Sequence, residues 1–191
     1  MEIRLDGRSA LITGGSTGLG LAMAKEFALS GADVAIVGRR PEVLEEARQE
    51  ISAVAADARV HTVAADVATA EGTDLAFRST VAAFGKVDIL VNNAGKSQVG
   101  TFEEITDQIW QEDFDLKLFA AVRLARLALP AMKERRWGRI INVLATAAKV
   151  PRAGTAPTAV SRAAGLALTK VLAGEGAPHN VLVNALLVGL I

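Results

Sequence analysis

In the stretch APTAVSRAAG (Ala156–Gly165), a hydroxyl and a guanidinium, those of Thr158 and Arg162, stand four residues apart. On a helix that spacing is about one turn, so the two side chains share a face. A threonine hydroxyl is far less acidic than a phenol, whose pKa is about 10, and arginine does not lose a proton near neutral pH. No tyrosine exists anywhere in the chain to supply a phenol. Lys117 lies in WQEDFDLKLFAAVRLARLALPAM (Trp110–Met132), where it interrupts the apolar face of a helix expected to be buried. A desolvated lysine has a depressed pKa and can act as acid, base or Schiff-base amine.

A second chemistry is written in TGGSTGLG (Thr13–Gly20), which follows a short apolar run and opens a stretch of helical spacing. Glycines there allow a tight turn and a close backbone approach, and the helix N-terminus offers unpaired N–H groups to a pyrophosphate. The expected contacts are Gly14, Ser16, Thr17, Gly18, Leu19 and Gly20, with the two hydroxyls as added donors. A ribose 2′-hydroxyl is normally held by an acid about 20 residues further on, whereas a 2′-phosphate needs arginine. The second strand ends VGRR, so Gly38 replaces the acid and Arg39 and Arg40 follow it. Each charge-assisted arginine–phosphate hydrogen bond contributes about 1.5–3 kcal/mol. NADP(H) is therefore expected over NAD(H), with Arg39 the better candidate for the phosphate.

These residues need a frame. Short β-type runs begin at Ser9, Asp33, Arg59, Val87, Gly138 and Asn180, and helices are expected near Gly18, Pro41, Thr69, Thr106 and Pro157. Apolar strands alternating with helices predict an α/β fold, a doubly wound parallel sheet covered on both faces. At 191 residues, 51% of them hydrophobic, residues 1–191 read as one dinucleotide-binding domain. Zero net charge and 4% aromatics argue against a nucleic-acid partner. No apolar stretch suits a membrane span, and the early acids of MEIRLDGRSALITGG are unlike a signal peptide. The absence of cysteine fits a cytoplasmic protein, and His61 and His179 read as ordinary strand residues, leaving no metal site expected.

TGGSTGLG, VNNAG (Val91–Gly95) and GRIINV (Gly138–Val143) together resemble the T-G-x-x-x-G-x-G turn, the N-N-A-G motif and the fifth strand of the short-chain dehydrogenase/reductase family, in that family's order and across essentially the whole chain. The resemblance implies a Rossmann-type sheet, a nicotinamide dinucleotide in an extended cleft, a small-molecule substrate, and a homodimer or homotetramer. It also implies that Asp66, with Val67 beside it, contacts the adenine amine and that Asn93, Ala94 and Gly95 run along the adenosine ribose. Registered on IINV and GLALTK, the family's catalytic serine, tyrosine and lysine positions hold Ala145, Thr158 and Arg162, and Lys117 stands at the asparagine position. All four depart from the family pattern. Thr146 could offer a substitute hydroxyl, and Lys96, Lys149 and Arg152 would rim the same cleft.

Two classes of function stay open on this reading. One is an NADP(H)-dependent oxidoreductase with an atypical site and an unidentified substrate, an anionic one being what the basic cleft would attract. The other is an NADP(H)-binding sensor or assembly protein without turnover. NVLVNALLVGLI (Asn180–Ile191) resembles the sixth strand and the start of the family's N-x-x-x-P-G loop, with Val188 in place of proline. A substrate loop, helix and last strand usually follow, so a longer native protein is expected.

Overall fold

The first strand, β1 (Ser9–Thr13), is buried along its whole length and sits at the centre of the molecule. A computed structural model describes residues 4–189. From β1 the chain runs through α1 (Gly18–Leu29), β2 (Asp33–Gly38), α2 (Pro41–Val54), β3 (Val60–Ala64), α3 (Ala70–Phe84) and β4 (Ile89–Asn92). It continues through β5 (Val99–Gly100), α4 (Asp107–Phe114), a π turn at Asp115–Phe119, α5 (Ala120–Glu134), β6 (Gly138–Ala145), β7 (Ala156–Pro157), α6 (Thr158–Gly176) and β8 (Val181–Val188). The six long strands form a parallel sheet in the order β3-β2-β1-β4-β6-β8, and β5 pairs antiparallel with β7 in a separate ribbon. The strand order reverses between β1 and β4, which opens a crevice at their carboxyl ends.

Alternation along the strands decides which helix each residue meets. On β1, Leu11 joins the core under α3 and α5 with Ala76, Leu124 and Met132. Its neighbours Ala10 and Ile12 face the other way, into the core under α1 and α2 with Ala24, Leu44 and Ile51. The fold is thus a single α/β domain of Rossmann type with helices on both faces, as the alternating pattern predicts.

The expected strands and helix starts are observed, and local chemistry explains several boundaries. Thr69 caps α3 by accepting from the Gly72 N–H at 2.9 Å, and Pro41 occupies the first turn of α2, where its missing N–H costs nothing. Asn180 takes φ 57, a left-handed conformation asparagine tolerates, just before β8. One expectation is corrected: His179 lies in a 3-10 turn (Ala177–His179) rather than a strand. Its three-residue APH turn is stopped by that asparagine before extended backbone begins. His61 does lie in β3, with Nε2 2.8 Å from the Ser79 hydroxyl. No helix among the described residues is long and apolar enough to cross a membrane. The ends Met1–Ile3 and Leu190–Ile191, on which the readings of the two termini partly rest, lie outside the described residues.

Candidate active site

The glycine turn is shaped by left-handed backbone at two of its glycines and by close packing at Gly14, Gly15 and Gly20. Gly14 and Gly18 take φ +62 and +54. A Cβ on Gly20 would stand 2.0 Å from the Gly14 carbonyl oxygen and 2.7 Å from Asn93 Nδ2, so the helix packs directly on the turn. Thr13 at the end of β1 locks this turn to the one after β4. Its Oγ1 accepts from the N–H groups of Asn93 and Ala94, both at 3.0 Å. In return, Asn93 Nδ2 donates to the carbonyls of Thr13 and Gly14 at 3.0 and 3.1 Å. The Asn93 side chain therefore ties the two crevice-forming turns together.

In front of this junction lies a cleft of about 500 Å³, lined by Gly14, Ser16, Thr17, Arg39, Arg40, Asp66, Val67, Ala94 and Gly95, with Gly38 and Lys96 also on its wall. Gly18, Leu19, Gly20 and Asn93 of the expected set support the turn and helix from outside that lining. The first turn of α1 has neither a side-chain cap nor an acid, which leaves its N–H groups free for an anion. Arg39 and Arg40 are exposed and have no carboxylate partner among the described residues. Asp66 Oδ1 accepts from the Ala68 N–H at 3.0 Å, a local turn that fixes the side chain at the end of β3.

Lys117, Thr158 and Arg162 meet beside Gly95. A Cβ on Gly95 would lie 3.5 Å from Arg162 Nη2 and 3.8 Å from Lys117 carbons, ordinary van der Waals distances that place this loop against both cations. The π turn carries Lys117, whose side chain is only 4% exposed. Lys117 Nζ donates to Asp113 Oδ1 and, at 2.8 Å, to Thr158 Oγ1. Thr158 Oγ1 also accepts from the Gln98 N–H at 2.9 Å, a contact held in place by the β5–β7 ribbon. Asp113 is fully buried, and its second oxygen accepts from Ser161 Oγ at 2.5 Å. Arg162 Nη1 donates to the Val143 carbonyl at 3.1 Å.

Burial pulls the Lys117 ammonium below its ordinary pKa; the hydrogen bond and charge of Asp113 oppose that, and the charges of Arg162 and Lys96 add to it. Burial likewise lowers Arg162, against the attraction of Asp113. Behind the group lies a cavity of about 10 Å³ lined by Asn92, Lys117 and Arg162 among others, where Asn92 Oδ1 and Arg162 Nε are buried without partners among the described residues. Ala145 ends β6 and contributes no polar atom, and Thr146, Lys149 and Arg152 are exposed.

Asp113 and Ser161 were not singled out by the sequence, although both belong to this cluster. The signal that finds Asp113 is its spacing, an acid four residues before a lysine on one helical face. Ser161 gives no such signal, because its partner comes from another helix.

A glycine turn on a helix N-terminus, at the switch point of a doubly wound sheet, with a buried cluster of ionisable side chains beside it, is the architecture of a dinucleotide-binding α/β protein. The family model described as short chain dehydrogenase matches residues 8–191. An uncharacterised oxidoreductase of Mycobacterium tuberculosis is 38% identical over 189 residues, which cover 98% of this chain and 71% of the relative. The D-beta-hydroxybutyrate dehydrogenase of Cupriavidus necator is 36% identical over 185 residues, 97% of this chain and 71% of that enzyme. The structure of L-sorbose reductase from Gluconobacter frateurii, complexed with NADPH and L-sorbose, superposes with a TM-score of 0.93 at 40% identity, covering 97% of this chain and 70% of that one. The chain belongs to the short-chain dehydrogenase family and is an oxidoreductase of that type. The open glycine cradle and uncapped helix fit a nicotinamide dinucleotide.

Proposed function

We propose that the protein is an NADP(H)-dependent oxidoreductase with an atypical reaction centre, acting on a carbonyl or alcohol substrate that carries an anionic group. When bound, the dinucleotide supplies or accepts the hydride. Gly14, Ser16, Thr17, Gly18, Leu19 and Gly20 receive its pyrophosphate through backbone N–H groups and hydroxyls. Arg39 holds the 2′-phosphate with Arg40 beside it, Asp66 and Val67 meet the adenine, and Ala94 and Gly95 line the ribose, with Asn93 holding their loop. The absence of a carboxylate at Gly38 and the lack of a carboxylate partner for either arginine among the described residues support NADP(H), as does the NADPH held by the sorbose reductase.

The observation that carries the reading is the meeting of Lys117, Thr158 and Arg162 beside Gly95, a residue of the cleft wall. Lys96 and Arg162 add positive charge around Lys117, whose carboxylate partner is Asp113, and this favours an anionic substrate group there, with Glu112 and Asp115 further out on the cleft wall. The hydroxybutyrate named for one relative is such an anion. A second reading, an NADP(H) binder without turnover, is supported by the closure of Lys117 into an ion pair. Calorimetric titration with NADPH and NADH, followed by an absorbance assay of NADPH consumption with neutral and carboxylate-bearing ketones, tests these assignments. The proposal expects tighter NADPH binding and consumption with the anionic ketones. Equal affinity for both dinucleotides contradicts the cofactor assignment, and tight binding with no consumption on any ketone favours the second reading.

A further inference from the structure

Five groups form one continuous line of hydrogen bonds next to Gly95 of the cleft wall: Ser161 Oγ to Asp113, Lys117 Nζ to Asp113, Lys117 Nζ to Thr158 Oγ1, and the Gln98 N–H to the same hydroxyl. A threonine hydroxyl has two acceptor lone pairs and one proton. Both acceptor sites of Thr158 are taken by N–H donors, at 2.8 and 2.9 Å. What the hydroxyl retains is the capacity to donate, and among the described residues no acceptor takes its proton. Two donors acting on one oxygen also polarise its O–H bond, since hydrogen bonds in a chain reinforce one another at low local dielectric.

The pair behind it is a poor choice for stability alone. The Asp113 and Lys117 side chains are 0% and 4% exposed, and a buried ion pair of this kind is often no better for stability than apolar residues of similar volume. What it does achieve is aim. Asp113 Oδ1 holds the ammonium, and Ser161 holds the other carboxylate oxygen, so Lys117 Nζ keeps one N–H for Thr158.

We propose that Thr158 and Lys117 form a proton-delivery line to the substrate oxygen, with Asp113, braced by Ser161, as the positioning residue that keeps Lys117 charged and aimed at Thr158. This rests on the oxidoreductase reading above and assigns its proton. In the reducing direction the carbonyl carbon gains the hydride and the carbonyl oxygen gains the Thr158 hydroxyl proton. As that O–H bond breaks, one N–H bond of Lys117 breaks and its proton goes to Thr158 Oγ1. Lys117 is left a neutral amine, which takes a proton from water before the next turnover, and Asp113 stays ionised throughout. Threonine thus needs no phenol-like acidity, because the lysine behind it is the acid.

The charged groups around Lys117 are Asp113 from α4, which runs directly into the π turn, Arg162 from α6, and Lys96 from the loop after β4. On the π turn Asp115 is paired with Arg123 of α5 at 3.5 Å. Of the groups acting directly on Lys117, Asp113 alone favours the ammonium form, against burial, Arg162 and Lys96. Removing it should discharge Lys117 at lower pH. The test measures kcat/KM against pH for wild type and Asp113→Asn with saturating NADPH, and also follows the Lys117 ammonium by NMR of lysine-labelled protein in its NADPH complex without substrate. Both the alkaline limb of the activity profile and the NMR titration should move down by about one to three pH units in the variant. Thr158→Val should lower kcat by about 10²–10⁴-fold, and Thr158→Ser should restore most of it. If Asp113→Asn does not fold, Ser161→Ala carries the positioning test, with a lower kcat at unchanged NADPH affinity expected and an unchanged kcat overturning the role of the brace. An alkaline limb unmoved in Asp113→Asn, with only thermal stability reduced, would show a purely structural pair and overturn the proposal. Turnover indifferent to Thr158→Val overturns the line alone, whereas NADPH binding without turnover on any substrate overturns the oxidoreductase reading and the line together.

Discussion

The glycine-turn end of the crevice and the reaction floor beside it are built on opposite plans. The first is an open cradle of backbone and small side chains, its two arginines exposed and without carboxylate partners among the described residues. The second is a closed knot in which an acid, a lysine and two hydroxyls are buried and bonded to one another. On the proposed function, the difference follows from what each would meet. A pyrophosphate is recognised by backbone N–H groups and needs clearance, so the turn is defined by what it lacks. Proton movement needs fixed partners at hydrogen-bond distance in a region of low dielectric, so the floor is defined by side chains that satisfy each other.

The sharpest way to break this contrast is Lys117→Met. It strands the buried Asp113 carboxylate, and loss of one partner of such a pair costs about 3–5 kcal/mol. Urea denaturation should show that loss while NADPH affinity stays near wild type; an unchanged midpoint would mean that the knot is not a paired unit. Gly20→Ala attacks the other region, where the added methyl would meet the Gly14 carbonyl. Overpacking there should cost about 1–3 kcal/mol of stability and, unlike the lysine change, take NADPH binding with it. Arg39→Ala should leave the denaturation midpoint almost unchanged and weaken NADPH by about 1.5–3 kcal/mol, the worth of a charge-assisted hydrogen bond. Calorimetry that finds no such loss moves the phosphate contact elsewhere.

The smallest effect concerns pH. The folded pKa of Lys117 lies below the 10.5 of an unperturbed lysine. Between those two values the unfolded chain binds the additional proton, so stability from this group rises with pH, is complete above 10.5, and is lost as pH falls through the folded value. The thermal midpoint of wild type relative to Lys117→Met should therefore climb as pH is raised through that window, and a flat difference would contradict the inferred direction.

The two regions also differed in how far they could be read from the chain. TGGSTGLG is contiguous, and its strand-before, helix-after setting is local, so the turn and the VGRR strand end are legible in the sequence itself. Asn93 was visible only as part of a motif; that its amide staples the carbonyls of Thr13 and Gly14 depends on β1 and β4 lying side by side. On the floor, Lys117 showed itself by breaking an apolar face. Asp113 and Ser161 did not, because a polar residue on an amphipathic helix looks solvated until another helix covers it, and here α4 and α6 cover each other's polar positions. The π turn that carries Lys117 and the two-residue strands β5 and β7, which deliver Gln98 to Thr158, are too short to leave a periodic trace.

The central claim is that a lysine-backed threonine has taken over proton supply in an otherwise ordinary dinucleotide-binding frame. The most direct measurement is NADPH consumption by wild type, Lys117→Met and Thr158→Val over a panel of neutral and carboxylate-bearing carbonyl compounds, with NADPH affinity determined for each variant. The account predicts consumption by wild type with the anionic members, and its loss in both variants at retained NADPH affinity. Rapid turnover of neutral ketones, undiminished in Lys117→Met and Thr158→Val, would contradict it.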